Sequence, residues 1–313
     1  MKAAQIVAYG GPSAVVINEV PKPSIDKTQV LIQVHASSLN PADSGLRAGD
    51  MDSVMPLQFP ATLGGDVAGV VVEVGEDVKD FAPGNNVYGQ SYCMFGGSGA
   101  FAEYAAVNAG QLATMPKNVD FDQAGSLPLV GISALQAVMG SIKLQPGQRV
   151  LIHGGAGAVG AIAVQIAKHV GAYVAATAGA QGVATVKALG ADEVIDYRAQ
   201  QFETILHDYD AVVDLVGGET FTKSLRVLKP GGTIVTLVAW MDEAITAAKA
   251  QNFNALFQGT DVTTEALDEL TELIQSGVVT PPASIAYPLS EIVEAFTARE
   301  DGSAGKKVIV TIG

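Results

Sequence analysis

Residues 149–171 read RVLIHGGAGAVGAIAVQIAKHVG, and this stretch decides the fold. Val150–Ile152 is a short apolar run with two β-branched residues, as expected of a strand buried on both faces. The motif Gly155-x-Gly157-x-x-Gly160 follows, and an Ala-rich apolar segment then runs to Gly171, where a helix C-terminal glycine belongs. A strand, a glycine turn and a helix in this order are the context of a dinucleotide-binding fingerprint.

The three glycines of the motif are expected to have separate roles. Gly155 allows the tight turn, Gly157 lets the backbone approach a pyrophosphate, and Gly160 lets helix and strand pack closely. The anion would meet unpaired N–H groups and the positive end of the helix dipole. One alternative is an ordinary tight turn. The other is a membrane span, which we reject because the glycines, His153 and Gln165 suit a packed turn better than lipid.

Composition limits the classes of protein that this chain can belong to. The 313 residues, 48% of them hydrophobic and 16% charged, are enough for about two domains. A formal net charge of −14 without a basic cluster disfavours binding to nucleic acid or to an anionic membrane. Cys93 is the only cysteine, so no intrachain disulfide forms. The N-terminus has too short an apolar run for a secretory signal, and we expect a cytoplasmic protein.

Two sequence patterns divide the chain. Residues 1–122 contain short β-branched runs between glycine and proline turns, which indicates a compact, barrel-like β domain. From about residue 123, strand patterns alternate with helical ones. The strand candidates are Val150–His153, Tyr173–Thr177, Glu193–Asp196, Ala211–Val216, Thr233–Val238 and Phe253–Phe257. We therefore predict an α/β protein, with a doubly wound six-stranded parallel sheet in residues 123–260 and a β-rich domain formed by residues 1–122 and 261–313.

Eight short motifs are spread along essentially the whole chain. They are Asn40-Pro41-x-Asp43, Gly64-Gly65-Asp66-Val67-Ala68-Gly69-Val70-Val71, Asp80-Phe81-x-x-Gly84-x-x-Val87-Tyr88-Gly89, Gly99-x-Phe101-Ala102-Glu103-Tyr104, Gly154-Gly155-Ala156-Gly157-Ala158-Val159-Gly160, Leu189-Gly190-Ala191-Asp192-Glu193-Val194-Ile195-Asp196-Tyr197, Asp214-x-Val216-Gly217-Gly218 and Gly305-Lys306. In this order they resemble the medium-chain dehydrogenase/reductase superfamily, specifically its zinc-free quinone oxidoreductase branch and its alkenal/quinone reductases. The resemblance implies a Rossmann cofactor domain, a GroES-like catalytic domain, and NADPH-dependent hydride transfer to a quinone or an α,β-unsaturated carbonyl.

The resemblance also bears on zinc. In the alcohol dehydrogenase branch, a Cys and a His-Glu pair supply metal ligands where this chain has Asn40 and Gly65-Asp66. Asparagine and glycine cannot replace thiolate and imidazole as zinc ligands. The four-cysteine structural zinc loop is absent as well. We therefore predict no metal, and a zinc alcohol dehydrogenase is disfavoured.

Cofactor choice depends on the end of the second sheet strand. A site that prefers NAD usually has an Asp or Glu there to bind the ribose 2′-hydroxyl. This chain has Thr177-Ala178-Gly179-Ala180-Gln181 and no acid until Asp192. An acid would repel a 2′-phosphate, so its absence favours NADPH, although the usual basic residue after the strand is missing too. Tyr197, which matches the tyrosine of the family's Asp-Tyr motif, could line the phosphate pocket.

The candidate site residues combine these motifs. The predicted cofactor-binding residues are Gly155, Gly157, Ala158, Val159, Gly160, Thr177, Ala178, Tyr197, Leu215, Val216 and Leu237. The predicted catalytic residues are Asn40 and Asp43. Asn40 matches a family residue near the nicotinamide and could donate a hydrogen bond to the oxygen that gains negative charge; equally, an Asn before Pro organises a turn. Asp43 could orient Asn40 or a ribose, or cap a short helix. Tyr88 and Tyr92 are candidate acids, although a tyrosine in a β domain more often packs.

Two further questions concern turnover and assembly. A non-catalytic NADPH-binding protein of the same fold is the alternative to a reductase. A homodimer is expected because the last strand of the sheet, Phe253–Phe257, lies at an open edge and carries no charge or proline that would discourage pairing. The resemblance to relatives that pair this strand about a two-fold axis favours the dimer. The alternative is that a loop or the helix of residues 264–276 covers the edge.

Overall fold

The structure, a computed structural model, describes residues 1–313. The chain forms two units. The first contains Met1–Leu129, Val262–Gln275 and Pro281–Gly313, and the second contains Val130–Asp261 and Ser276–Thr280. None of the helices combines the length and the apolar character that a membrane crossing requires.

Sixteen strands make up the sheets of the two units. In chain order they are β1 (Lys2–Ile6), β2 (Val16–Glu19), β3 (Gln29–Ser38), β4 (Ala61–Thr62), β5 (Asp66–Val74), β6 (Asn86–Gln90), β7 (Tyr104–Asn108), β8 (Leu112–Thr114), β9 (Arg149–Ile152), β10 (Tyr173–Ala178), β11 (Glu193–Asp196), β12 (Tyr209–Asp214), β13 (Leu228–Thr236), β14 (Asn254–Phe257), β15 (Ser284–Pro288) and β16 (Lys307–Thr311).

Ten α-helices connect or flank these strands. They are α1 (Pro41–Ala48), α2 (Phe121–Gly125), α3 (Pro128–Leu135), α4 (Ala158–Val170), α5 (Val183–Ala188), α6 (Phe202–Ile205), α7 (Glu219–Ser224), α8 (Asp242–Ala250), α9 (Thr264–Gln275) and α10 (Ile292–Glu300).

The first unit is rich in strands. Its larger sheet has the order β15-β16-β3-β5-β6-β8, with β7 also paired to β3. These pairs are antiparallel except β15 with β16. β1 pairs with β2 and β4 in a separate three-stranded sheet. Alternate residues of the long strands supply the core: Val30, Ile32 and Val34 of β3 lie in one buried cluster with Val308 and Val310 of β16.

The second unit contains one parallel sheet in the order β11-β10-β9-β12-β13-β14. This is the order of a doubly wound dinucleotide-binding fold, so the predicted α/β class and six-stranded parallel sheet are confirmed. Val150, Leu151 and Ile152 of β9 are completely buried, as expected of a central parallel strand. The strand order reverses between β9 and β12, and ligands of such sheets bind beyond the carboxyl ends of the strands at this point.

The bounds of β13 differ most from the prediction. The strand begins at Leu228 rather than Thr233, because Leu228 pairs with Tyr209 before the register shifts and pairing resumes at Thr233. Lys229–Gly232 reads as a turn in the sequence, but here it forms an irregularity within the strand.

Candidate functional site

The glycine turn between β9 and α4 corrects one predicted role. Gly154, with φ of +68°, is the residue in the left-handed region, so Gly154 rather than Gly155 makes the tight turn. Gly155 is required for space, because a Cβ there would lie 2.8 Å from the Cβ of Ala176 on β10. The prediction assigned the turn to the first glycine of the three-glycine motif, whereas the backbone turns one residue earlier.

Gly157 and Gly160 have different surroundings. A Cβ at Gly160 would lie 2.2 Å from the carbonyl oxygen of Gly154, so this glycine lets α4 pack against the turn. A Cβ at Gly157 would meet only that same oxygen, at 3.2 Å, and Gly157 is exposed. Gly157 therefore leaves open space on the outside of the turn, which fits the close approach of a pyrophosphate.

The N-terminus of α4 belongs to the same candidate anion site. Gly157 is its N-cap, and the half-buried Ala158 and Val159 are its first two residues. No side chain caps this end and no acidic residue lies in the first turn. Its N–H groups are therefore open to an anion, which the helix dipole also favours. Gly171, with φ of +89°, ends the helix as predicted.

A buried histidine holds the turn from the inside of the second unit. The hydroxyl of Ser224 donates to the carbonyl of Thr220 (2.6 Å), so its oxygen accepts from Nε2 of His153 (2.8 Å). Nδ1 of His153 then accepts from the hydroxyl of Thr177 (3.1 Å). Burial lowers the pKa of His153 to about 3, and the imidazole is therefore neutral with its proton on Nε2.

Thr177 connects His153 to the glycine turn through hydrogen bonds. Its Oγ1 accepts from the N–H of Gly154 (3.2 Å), and its carbonyl accepts from the N–H of Gly155 (2.8 Å). Thr177 is only 3% exposed. The predicted cofactor residue therefore uses its hydroxyl within the protein and holds the turn.

The other predicted cofactor residues lie where parallel strands end. Ala178 is the last residue of β10 and Tyr197 follows β11, while Leu215 and Val216 follow β12 and Leu237 follows β13. Tyr197 and Val216 are each 54% exposed, whereas Ala178 is buried. The carboxyl ends of parallel strands meet at one edge, so the structure brings these residues to the edge that also carries the glycine turn.

Asp214 organises this edge between β12 and β13. Its Oδ1 accepts from the N–H groups of Val216 (3.1 Å) and Gly217 (2.9 Å). Its Oδ2 accepts from the hydroxyl of Thr236 (2.9 Å). The Asp214 carboxylate thus fixes the backbone of the loop that contains Val216.

The end of β10 has charged neighbours on β11 and directly after it. Asp196 of β11 is in register with Ala178, and its Oδ1 accepts from the N–H of Arg198 (3.0 Å). The Arg198 guanidinium lies 5.7 Å from the ring centre of Tyr197. A Cβ at Gly179 would lie 3.6 Å from the Tyr197 hydroxyl, so the tyrosine and its arginine flank the strand end.

In the first unit, Asn40 is the buried N-cap of α1. Its Nδ2 donates to Oδ2 of Asp66 (2.7 Å), and its Oδ1 accepts from Nζ of Lys307 (2.5 Å). Lys307 also donates to the carbonyl of Leu39 (3.1 Å) and lies 3.7 Å from the Asp66 carboxylate. The carboxamide is therefore held in one orientation by a buried ion pair.

Asp43 lies beside Asn40, as the sequence motif predicted. Its Oδ2 accepts from the N–H of Asn40 (2.7 Å), which is one half of a capping box. Burial raises the pKa of Asp43 to about 7; the Asn40 hydrogen bond opposes this shift and the nearby Asp66 carboxylate adds to it. Asn40 and Asp43 are both completely buried.

The two candidate acids differ in their surroundings. The hydroxyl of Tyr88 donates to the carbonyl of Leu267 (2.8 Å) and lies 2.9 Å from Oγ1 of Thr271, so it ties β6 to α9. The hydroxyl of Tyr92 is buried without a hydrogen-bond partner of good geometry.

No group of three or more His, Cys, Asp or Glu side chains in the chain is arranged to hold a metal ion. Where the alcohol dehydrogenase branch has its His ligand, the space is filled by a ring: a Cβ at Gly65 would lie 2.0 Å from Cζ of Tyr92. The thiol of Cys93 is partly buried, which raises its pKa.

Comparisons with known proteins establish the family. Models of the alcohol dehydrogenase GroES-like domain and of the zinc-binding dehydrogenase match residues 26–117 and 189–310. The chain is 36% identical to the NADPH-dependent alkenal/one oxidoreductase, chloroplastic, of Arabidopsis thaliana, over 99% of this chain and 79% of that relative. The chain belongs to the zinc-free quinone and alkenal reductase branch of the medium-chain dehydrogenase/reductase superfamily. It is an oxidoreductase, as its relatives are.

Solved structures of the medium-chain dehydrogenase/reductase superfamily share this architecture. The quinone oxidoreductase of Coxiella burnetii has a TM-score of 0.91 at 33% identity, covering 100% of this chain and 99% of that one. The quinone oxidoreductase of Escherichia coli complexed with NADPH has a TM-score of 0.85 at 25% identity, covering 99% and 100%. The predicted family and the strand-rich GroES-like domain are confirmed.

Sequence reasoning missed several polar residues of this medium-chain dehydrogenase/reductase. Lys307 opens an otherwise apolar strand, and His153 ends one, so a polar residue at the boundary of an apolar run was the available signal. Asp66 was considered only as a replacement for a zinc ligand. Its hydrogen bonds to Ser38 (2.6 Å) and Asn40 (2.7 Å) were not foreseen, because they join segments far apart in the chain.

Proposed function

We propose that this medium-chain dehydrogenase/reductase uses NADPH to reduce a quinone or an α,β-unsaturated carbonyl compound without zinc. The observation that carries the proposal is the open space outside the turn at Gly157. In the same chain, Gly65 stands where the zinc branch has its His ligand, and the Tyr92 ring fills the space beside it. The names of the Arabidopsis relative and of the E. coli structure, both of which specify NADPH, support it.

The bound nicotinamide would supply the hydride, and the chain's own residues would bind and orient the reactants. The N–H groups of the first α4 turn and the open side of Gly157 would hold the pyrophosphate. Val216 and Leu237, at the carboxyl edge of the sheet, would contact the cofactor through their apolar side chains. Asn40 and Asp43 are the proposed catalytic-domain residues, and because both are buried we assign them an orienting role.

The preference for NADPH would come from the end of β10. Neither Ala178 nor Gly179 carries a charge, and Arg198 and Tyr197 flank the strand end. Ala178 is buried, so a test at this end is cleaner at Gly179, where a Cβ has no heavy-atom contact closer than 3.6 Å. Gly179→Asp should weaken NADPH binding by tenfold or more, about 1.4 kcal/mol, and change NADH binding much less. Fluorescence titration measures both affinities.

Gly179→Asn is the matched control, since it has the same shape without the charge. It should leave the ratio of the two affinities unchanged. If Gly179→Asp weakened the binding of NADPH and of NADH equally, the 2′-phosphate would not lie at this end of the strand.

The reaction itself can be tested by following NADPH absorbance with a panel of quinones, enals and enones in the presence of a zinc chelator. We expect turnover that the chelator does not change. A parallel series offers simple alcohols with NADP⁺, with and without added zinc. Turnover of alcohols only, and only with zinc, would contradict the proposal. NADPH binding without turnover of any compound would favour the non-catalytic alternative.

We also propose that two copies of the chain pair through β14. The sheet order puts β14 at an edge, and Phe257 on this strand is 47% exposed. The helix that was considered as a cover, α9, packs in the first unit against β8. A second copy of β14 would satisfy the free N–H and C=O groups of the edge.

A further inference from the structure

Trp240 is the only tryptophan of the chain and the most exposed of its large hydrophobic side chains, at 72%. Its backbone has a φ of +64°, in the left-handed region that bulky residues avoid, and the other non-glycine residues with positive φ are polar. A lone exposed apolar side chain is common on protein surfaces, but a strained backbone that presents one is not. Packing in the core does not explain this indole, so we looked for a ligand that would cover it.

The loop that carries Trp240 follows β13 and is held against the neighbouring loop. The N–H of Val238 donates to Oγ1 of Thr236 (3.2 Å), which fixes the start of the loop. The Val238 side chain lies against the loop after β12, because a Cβ at Gly217 would meet its Cγ1 at 3.0 Å. That second loop also carries Val216, which is exposed. Two adjacent loops of the second unit therefore present apolar side chains to solvent at the carboxyl edge of one sheet.

The proposed cofactor site indicates what covers these side chains. In the sheet order, β10 and β11 lie on one side of β9 and its glycine turn, and β12 and β13 lie on the other. The pyrophosphate at the turn joins the two halves of the dinucleotide, and the half with the 2′-phosphate is proposed to lie at the end of β10. The nicotinamide half then extends over the ends of β12 and β13, where the loops of Val216 and Trp240 begin.

We infer that the indole of Trp240 contacts the nicotinamide ring of the bound cofactor and binds the oxidised ring more tightly than the reduced one. The inference rests on the proposed function. The oxidised nicotinamide is a pyridinium cation, whereas the reduced ring is neutral. The face of an aromatic ring attracts a cation, and tryptophan does so best. Val216 adds an apolar contact that does not depend on this charge. The strained backbone at Trp240 then serves cofactor binding rather than folding.

Tryptophan fluorescence tests the contact without turnover. Because Trp240 is the only tryptophan, quenching of its emission by acrylamide reports on this side chain alone. Quenching should be efficient in the free protein, and saturating NADP⁺ should reduce it severalfold. The ligand 2′,5′-ADP carries only the half with the 2′-phosphate, and it should bind without reducing the quenching. Equal protection by both ligands would overturn the inference. Protection that rises with protein concentration in the absence of nucleotide would also overturn it, since a second copy of the chain would then cover Trp240.

Variants at position 240 test the preference for the oxidised ring. Trp240→Leu keeps an apolar side chain and should raise the Kd of NADP⁺ about tenfold, within the range of a desolvated cation–π contact, while the Kd of NADPH changes less. Trp240→Phe keeps an aromatic face and should recover most of this difference. Tyr173→Leu is the matched control, because Tyr173 is an exposed aromatic residue at the first position of β10, at the opposite edge of the sheet. It should change neither Kd. NADPH fluorescence titration measures one Kd, and displacement of NADPH by NADP⁺ measures the other.

A glycine variant separates binding from folding. Glycine adopts a φ of +64° without strain, so Trp240→Gly should be at least as stable to urea as the wild type. It should nevertheless bind NADP⁺ as weakly as Trp240→Leu does. A Trp240→Gly protein that unfolds at a clearly lower urea concentration than the wild type would assign Trp240 to folding and overturn the inference.

The failure of this inference can be distinguished from the failure of the proposed function. If Trp240→Leu binds NADP⁺ and NADPH with wild-type affinities and reduces the substrate panel at the wild-type rate, the inference is wrong and the proposed function stands. A wild-type protein that binds neither form of the cofactor would overturn both.

Discussion

At the residue scale, His153 shows how a buried polar side chain can act on a proposed cofactor site. Its two ring nitrogens join Ser224 to Thr177, and Thr177 in turn holds the N–H groups of Gly154 and Gly155. The two bonds of the ring require a neutral imidazole with one donor and one acceptor. The glycine turn therefore depends on a tautomer that is fixed inside the second unit.

Replacing His153 with Phe should damage the turn while keeping a ring next to Phe202. The hydroxyl of Thr177 and that of Ser224 would each lose a partner, and we expect the free energy of unfolding to fall by about 1–3 kcal/mol. NADPH affinity should fall as well, since the Thr177 hydroxyl that accepts from the N–H of Gly154 is no longer oriented by His153. Urea unfolding and fluorescence titration measure the two effects. His169→Phe, at an exposed position of the same unit, should change neither.

The same variant has a pH signature. The folded-state pKa of His153 is lowered to about 3 from an ordinary value of 6.5, so between these values only the unfolded chain takes up the proton. The wild type should therefore lose stability as the pH falls from 6.5, with a contribution from His153 of about 1.4 kcal/mol per pH unit. His153→Phe should lack this contribution. A stability difference between the two proteins that is constant from pH 7 to pH 4 would contradict the neutral, buried histidine.

The hydrogen-bond partners of Asn40 could not be predicted from the sequence. Asn40 and Asp43 were predicted together because they belong to one short motif. Lys307, which holds the Asn40 oxygen, comes from the last strand of the chain, and Asp66 comes from β5. Local patterns carry no information on such contacts, because they form only when distant strands pack side by side.

At the element scale, sequence and structure agree best in the segment that contains β9, the glycine turn and α4. The apolar strand, the glycine spacing and the closing Gly171 are all local signals, and each lies within the segment that it organises. Gly155 was predicted to allow the tight turn, and the residue with positive φ is Gly154, one position earlier. Two adjacent glycines offer the same freedom in the sequence, and the structure separates them by the positive φ of Gly154 and by the close approach of Gly155 to Ala176.

Two alanine substitutions in this segment should affect different properties, one NADPH binding and the other stability. Gly157→Ala should fold with near wild-type stability, since its Cβ meets only one oxygen, at 3.2 Å, but it should weaken NADPH binding. Gly160→Ala should lose stability because its Cβ would lie 2.2 Å from the carbonyl oxygen of Gly154. Thermal unfolding together with NADPH titration separates the two. Unchanged NADPH affinity in Gly157→Ala would show that this glycine does not lie next to the bound cofactor.

At the scale of the whole molecule, the proposed pairing through β14 can be tested with one charge. Ala255 is only 2% exposed, so a charge there would test folding rather than assembly. Phe257 is the better probe because it is 47% exposed on the edge strand. Wild type should sediment as a dimer at micromolar concentration, and Phe257→Glu should shift it to the monomer. Val7→Glu, at another exposed apolar position, is the control.

A wild-type protein that sediments as a monomer under these conditions would refute the pairing. A Phe257→Glu variant that remains dimeric would locate the interface away from this edge.

The central claim is zinc-free hydride transfer from NADPH to carbon, and isotope transfer tests it most directly. The purified protein, treated with a chelator, is incubated with an enone and NADPH that carries deuterium at C4 of the nicotinamide, each face labelled in turn. We predict that one of the two labelled forms gives product with one deuterium at the β-carbon. A product without label from either form, or one labelled only after zinc is restored, would contradict the account.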